Sequence, residues 1–277
     1  MKENHLRKGL IYGLLLIGTV VVIFPFLWML STSLKSLKEV FIFPPRWIPE
    51  TFHLENYAEV WKTNNFLRYF MNSLIVSIAM TLGQLITSSL AAFAFARMDF
   101  KGKNFLFMMV LGTTMIPTEI LLIPNYVIIS RLHWIDTYQA LIVPSLGYAL
   151  GIFMLRQHFL TFPKDLEDAA RMDGCGRFRF LLQVLLPNSK TPLAVVSVFS
   201  FINSWNSYIW PLLVTQNESM RTVQVALAAF KDAQSGGANT NWTLLMAAST
   251  IVLIPVLLIY LFCQRWIIEG HTTSGLK

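Results

Sequence analysis

Long apolar runs alternate with shorter polar segments along all 277 residues. The runs cover residues 10–30, 70–95, 105–129, 138–155, 191–214 and 243–268. Each approaches the ~20 residues that a helix needs to cross a hydrocarbon core ~30 Å thick. Backbone groups in lipid must be satisfied within the segment, so helices are the expected form. Transmembrane strands would alternate apolar and polar residues over roughly ten positions, and these runs do not. The pattern predicts an all-α membrane protein with six transmembrane helices in a single domain over 1–277. The first run holds 21 residues without a charge. That is longer than the roughly 7–15 apolar residues of a cleaved signal, and no A-x-A site follows, so an uncleaved first span is expected.

Polar residues inside the runs fall into stripes. Ser73, Ser77, Thr81, Gln84 and Ser88 recur every three or four positions and share one helical face. That face either packs against neighbouring helices or lines a translocation path. The fifth run carries Ser197, Ser200, Ser204 and Ser207 at the same spacing, with Asn203, Trp205, Asn206, Tyr208 and Trp210 among them. Amides donate and accept, and aromatic faces stack on sugar rings, so the cluster suits a hydroxyl-rich ligand. The same residues also fit an aromatic belt at the membrane surface. Glu119 lies between Pro117 and Pro124 and predicts a broken third span. Its carboxylate either serves the freed backbone groups or stands on a transport pathway. The candidate path residues are therefore Glu119, Ser77, Gln84, Asn203, Trp205, Asn206 and Tyr208.

Charge then orients the runs. Only 13% of residues are charged, against roughly 25% in a soluble domain. With the N-terminus inside, 14 of the 22 Lys and Arg fall on the cytoplasmic side. The positive-inside rule thus predicts both termini in the cytoplasm. Loop Ser31–Tyr69 contains FPPRWIP, which cannot be a regular helix. Loop Gln216–Trp242 contains SGG and is expected to be external and mobile. Cys175 and Cys263 lack metal or disulfide spacing and read as small apolar filler.

The cytoplasmic segment 162–187 is the charged exception. Pro163 suits a first helical position, and Asp165, Glu167 and Asp168 sit where the dipole favours acid. Ala169 and Ala170 are strong helix formers, and Gly174 suits a left-handed stop. The result is a helix of about ten residues, ~15 Å long and too short to span. The run RFRFLLQVLLP after it is expected to lie along the interface until Pro187.

The spacing of this segment resembles the signature of ABC importer permeases: Glu-Ala-Ala, three residues, Gly, nine residues, Ile, one residue, Leu-Pro. Asp168, Ala169, Ala170, Gly174, Val184, Leu186 and Pro187 occupy those positions. Asp168 replaces the usual Glu with Glu167 beside it, and Val184 replaces Ile. FPPRWIP with Glu55-Asn56-Tyr57, NSLIVS, SSLAAFAFAR, IPTEILLIPNY, GIFMLRQHF, SWNSYIWPL and MRTVQVAL extend the likeness to the carbohydrate-uptake branch over nearly the whole chain.

The resemblance implies the type I ABC importer permease fold. It implies that Glu167, Asp168, Ala169, Ala170, Asp173, Gly174, Leu186 and Pro187 couple to an ATPase. The expected partners are a second homologous permease, two ATP-binding cassette subunits, an extracytoplasmic solute-binding protein and the lipid bilayer, with no nucleic acid. The expected location is a bacterial or archaeal cell membrane. A sugar, oligosaccharide or glycerol-3-phosphate is the implied cargo.

No G-x-x-x-x-G-K-[ST] occurs in the sequence, so no cofactor is expected on this chain, and ATP and Mg belong to the partner ATPase. The five His are scattered and build no catalytic grouping. An ATP-independent carrier or channel is the alternative. It would need paired intramembrane carboxylates or half-helix repeats, and Glu119 is the single carboxylate within a run.

Overall fold

Some of the apolar runs form uninterrupted helices, two of them around an interior proline, Pro25 and Pro255. The computed structural model describes residues 2–63, 65–233 and 241–273, with side-chain burial for 7–63, 65–228 and 241–266. The elements are α1 (Lys2–Ser33), α2 (Leu37–Val40), α3 (Glu55–Lys62), α4 (Phe66–Arg97), α5 (Lys103–Thr113), α6 (Leu122–Arg131) and α7 (Tyr138–Ile142). They continue with α8 (Ala149–Thr161), α9 (Lys164–Met172), α10 (Arg177–Phe180), α11 (Lys190–Trp205), α12 (Ile209–Val214), α13 (Val223–Ala233) and α14 (Trp242–Thr273). Among the described residues there is no strand.

Three stretches, Arg7–Ser33, Phe66–Arg97 and Trp242–Trp266, are single helices long and apolar enough to cross a membrane. Three further stretches reach that length only as bent pairs. The third run, expected to be broken near its prolines, is two helical segments meeting at 90°. Pro117 explains the break: it offers no N–H to the preceding turn, and it biases Ile116 away from helix. Pro124 causes none, because it falls in the first turn of α6, where that N–H is not needed. The fourth run bends by 44° between Tyr138–Ser145 and Ala149–Thr161.

The fifth run also differs from expectation. α11 ends at Trp205, and the chain resumes as α12 only at Ile209, so residues 191–214 do not form one helix. RFRFLLQVLLP is helical and packs one side against the protein. Arg177–Phe180 opens into a π-turn over Leu181–Leu185, closed by Leu186 N–H on Leu181 O at 2.9 Å. This wider turn rotates Phe180, Leu181 and Leu185 together into a buried cluster with Ala92, Phe93, Leu155, Phe159 and Val196. The expected loop Gln216–Trp242 contains the helix α13, and its SGG segment lies outside the described residues.

The chain divides into two packed units. The first takes the described residues of Met1–Leu67 and Ala226–Ile254. Its irregular loop is tied down by Asn56, whose Nδ2 donates to Ser33 O at 2.8 Å and Lys35 O at 3.0 Å. Tyr57 pairs with the Ser33 hydroxyl at 2.7 Å, and Glu39 accepts from Glu50 N–H at 3.0 Å. Lys35 donates to Arg46 O and sits 4.4 Å above the Trp28 ring. Burial pushes its ammonium below the ordinary lysine range, and Glu39 works in the opposite direction.

The second unit takes Arg68–Val225 and the described residues of Pro255–Lys277. α4 is its axis. Two glycines let neighbours approach closely. A Cβ on Gly83 would stand 2.4 Å from Leu146 Cδ2, and one on Gly151 would stand 2.6 Å from the Tyr148 ring and 2.8 Å from Ser88 Oγ.

Candidate functional site

The polar stripe of α4 is buried throughout, and most of it holds helices together. Gln84 Nε2 donates to Ser145 O at 2.6 Å, while its Oε1 accepts from Ser200 Oγ at 2.7 Å. Thr87 donates to Leu146 O at 2.7 Å and Ser88 to Tyr148 O at 3.3 Å. Ser73 Oγ accepts from Val223 N–H at 2.8 Å. Asn72 donates to the carbonyls of Ser219 and Arg221, each at 2.9 Å, and accepts from Tyr138. Of the two readings of this face, packing accounts for Gln84, Ser73 and Ser88.

Ser77 differs. Its Oγ is buried without a hydrogen-bond partner, and so is Thr222 Oγ1. Both face a cavity of about 60 Å³ whose wall also includes Ser145, Ser204, Ser207 and Trp210. A hydroxyl-lined space of that size accommodates several water-sized groups. The sequence pattern flagged Ser77, Ser204 and Ser207 as stripe residues but gave no sign of Thr222 or Ser145. Thr222 sits in a loop, and Ser145 in a short 3₁₀ turn, so neither falls on a helical period.

The fifth-run residues separate rather than converge. Trp205 is 1% exposed, stacked on Phe201 at 5.7 Å and edge-on to Phe70 at 5.5 Å, so its ring is core and not a ligand platform. Asn203 and Tyr208 are exposed, and Asn206 Oδ1 accepts from Gln224 at 3.4 Å. Asn206 also caps α11 through its N–H on Ile202 O. Glu119 is exposed at the third-run bend; its backbone carbonyl accepts from Leu122 N–H, while its carboxylate makes no hydrogen bond or ion pair among the described residues and lies off the cavity wall. The carboxylate satisfies none of the freed backbone groups.

The second arrangement is the short helix α9. Pro163 is its N-cap rather than its first helical residue, with φ −56° and ψ 130°. Gly174 adopts φ +77°, and Cys175 N–H returns to Ala170 O at 2.9 Å. That wrap ends the helix cleanly where only glycine fits without strain. α9 leans on the buried cluster through Ala170, with Val184 and Leu186 packed on the same cluster. Its opposite side presents Leu166, Asp168, Ala169, Met172 and Asp173 to solvent, Met172 at 89% exposure. Gly174 and Pro187 are exposed as well. An exposed apolar ridge flanked by carboxylates is a surface that a partner groove could cover.

Glu167 is not on that ridge. Its side chain is 14% exposed and points inward, with Oε2 3.1 Å from Arg97 Nη1 and Oε1 2.8 Å from Arg171 Nη2. The sequence placed Glu167 and Asp168 together. The 100° step between successive helical residues sends one inward and the other out.

A bundle of broken apolar helices, with a short exposed helix carried between two of its spans, defines a membrane permease of the ABC importer class. Residues 84–270 match the family described as binding-protein-dependent transport system inner membrane component, and the chain belongs to that family. It is 35% identical over 284 residues to the sn-glycerol-3-phosphate transport system permease protein UgpE of Yersinia enterocolitica, covering 99% of each chain. The corresponding protein of Rhizobium meliloti is 35% identical over 264 residues, 93% of each. The fold matches a chain from the crystal structure of a bacterial ABC transporter involved in the import of the acidic polysaccharide alginate. The TM-score is 0.82 at 21% identity, covering 96% of this chain and 98% of that one. The chain is thus a non-catalytic inner-membrane permease component of an ABC importer that works with a solute-binding protein, and ATP hydrolysis belongs to a separate subunit.

Proposed function

We propose that this permease imports sn-glycerol-3-phosphate or a related small polyol phosphate or sugar across a bacterial inner membrane. It does so as half of a heterodimeric pathway, with six spans and both termini in the cytoplasm. The observation that carries the mechanism is α9, a helix exposed on one side, rooted on the other, and stopped at Gly174. In this reading α9 enters a groove of an ATP-binding cassette subunit. ATP and Mg bind that partner, and closure of two such subunits favours one packing of the permease pair through contacts on the Leu166–Met172 ridge. The Lys and Arg distribution supports the orientation, and near-full-length likeness to glycerol-3-phosphate permeases supports the cargo. The cavity at Ser77 and Thr222 offers hydroxyls suited to a polyol on its way through.

The test is reconstitution of the permease pair with its ATPase in liposomes, with binding protein outside and radiolabelled sn-glycerol-3-phosphate as solute. Uptake that needs both trapped ATP and binding protein, and that survives a protonophore, is the expected result. Uptake driven by a proton gradient without ATP would show an ion-coupled carrier instead. Calorimetry on the binding protein, comparing glycerol-3-phosphate with oligosaccharides, tests the cargo separately.

A further inference from the structure

We propose that Arg97 and Glu167 form a tie that transmits movement of α9 into α4, which makes Arg97 a positioning residue of the transport cycle. The proposal rests on the reading that α9 docks on the ATPase. Arg97 is the last residue of α4. Its Nη2 donates to Phe159 O at 2.6 Å and Phe162 O at 2.5 Å, closing the C-terminal end of α8. Its Nη1 donates to Glu167 Oε2 at 3.1 Å on α9. One guanidinium therefore joins the ends of two membrane helices to the short exposed helix.

Burial separates this pair from ordinary surface charges. The Arg97 side chain is 6% exposed, whereas Arg171, the other partner of Glu167, is 58% exposed. Glu167 is thus shared between an inner and an outer arginine. The neighbouring cation Arg156 does not compete, because it faces Phe95 O at 3.3 Å and the Phe107 ring at 4.0 Å. Apolar contacts of Phe93, Phe159 and Ala170 with one buried cluster also link these helices, but such contacts slide with little loss. A forked guanidinium has fixed directions, and pulling it from its carboxylate strands a buried charge. The tie therefore holds or breaks rather than stretching, which is what a two-state transmission needs.

What it would transmit is set by α4 itself. The same helix carries Ser77 on the cavity wall, 20 residues or about 30 Å from Arg97. Gln84 lies between them, bonded to Ser145 and Ser200. A rotation imposed at Arg97 reaches the cavity through one continuous helix.

The experiment uses the complete importer in liposomes with its binding protein. It reads the amount of ATPase co-purified and the solute molecules imported per ATP hydrolysed, for equal amounts of inserted permease. Glu167→Gln keeps shape and removes charge, while Arg97→Lys keeps charge and removes the fork. Each is expected to retain the ATPase and to lower solute imported per ATP on the order of tenfold. The double variant should be no worse than either single one, because both break the same bond. An unchanged ratio in Glu167→Gln overturns the tie, as do single effects that multiply in the double variant. Loss of the ATPase in Glu167→Gln alone also overturns it, since Glu167 would then contact the partner directly. Met172→Ala on the exposed ridge reports on docking itself: if it leaves ATPase binding intact, the docking reading fails, whatever Glu167→Gln does.

Discussion

Asn56 shows how one side chain can organise an irregular loop. Its amide satisfies two carbonyls at the end of α1, those of Ser33 and Lys35, in a place where water does not reach them. Asn56→Ala would leave both unmatched and should destabilise the loop by about 2 kcal/mol, read as faster limited proteolysis within residues 36–53. Beside it, the hydrogen bond from His53 holds the Glu55 carboxyl below its usual pKa of 4.5. A lowered carboxylate pKa adds stability that is complete above the unfolded value and is lost as pH falls through the folded one. Proteolysis of this loop should therefore quicken on acidification below about pH 4.5, and His53→Ala should flatten that dependence.

Among elements, α9 has two sides with different jobs, and substitutions should separate them. Met172 and Ala169 face outward, so Met172→Ala should weaken ATPase association by about tenfold, near 1.4 kcal/mol, with insertion unchanged. Ala170 packs on the buried cluster, so Ala170→Asp acts first on folding, and the cleaner probe of docking is Ala169→Asp. Gly174→Pro cannot adopt φ +77°, and it should abolish uptake while leaving the chain in the membrane, as fractionation and transport assays would show. The α4 seam makes a similar demand. Gly83→Ala pushes a methyl into Leu146 and should cost about 1–3 kcal/mol, measured as a lower melting temperature in detergent.

For the whole molecule, the surroundings decide stability. α1 is exposed along its apolar length, with Leu16 and Val21 each 66% exposed, so lipid or another protein is the medium that covers it. Val21→Lys near the middle of this helix should raise the cost of insertion by about 3 kcal/mol, detected as a larger alkali-extractable fraction. Much of this scale was legible in advance. Runs of apolar residues announce helices because lipid leaves the backbone no other partner. The charged break between them was legible too, since Ala-Ala, Gly and Leu-Pro each have local physical work to do. Trp205 and Gln84 were not legible as packing residues, because an aromatic or amide on a helical face looks the same whether it meets a ligand or a neighbouring helix.

The sequence by itself determined the solvent, the helices, the place of the short charged segment along the chain and the glycine that ends its helix. These follow from composition and from periods of a few residues, where local chemistry is decisive. Tertiary structure alone decided where the fifth run breaks, which stripe residues reach the cavity, and that Glu167 turns inward to Arg97. That last pairing joins residues 70 positions apart, and it depends on the rotation of α9 about its own axis. A periodic pattern marks a face but not what the face meets, and only the packing of α4, α8 and α9 supplies that.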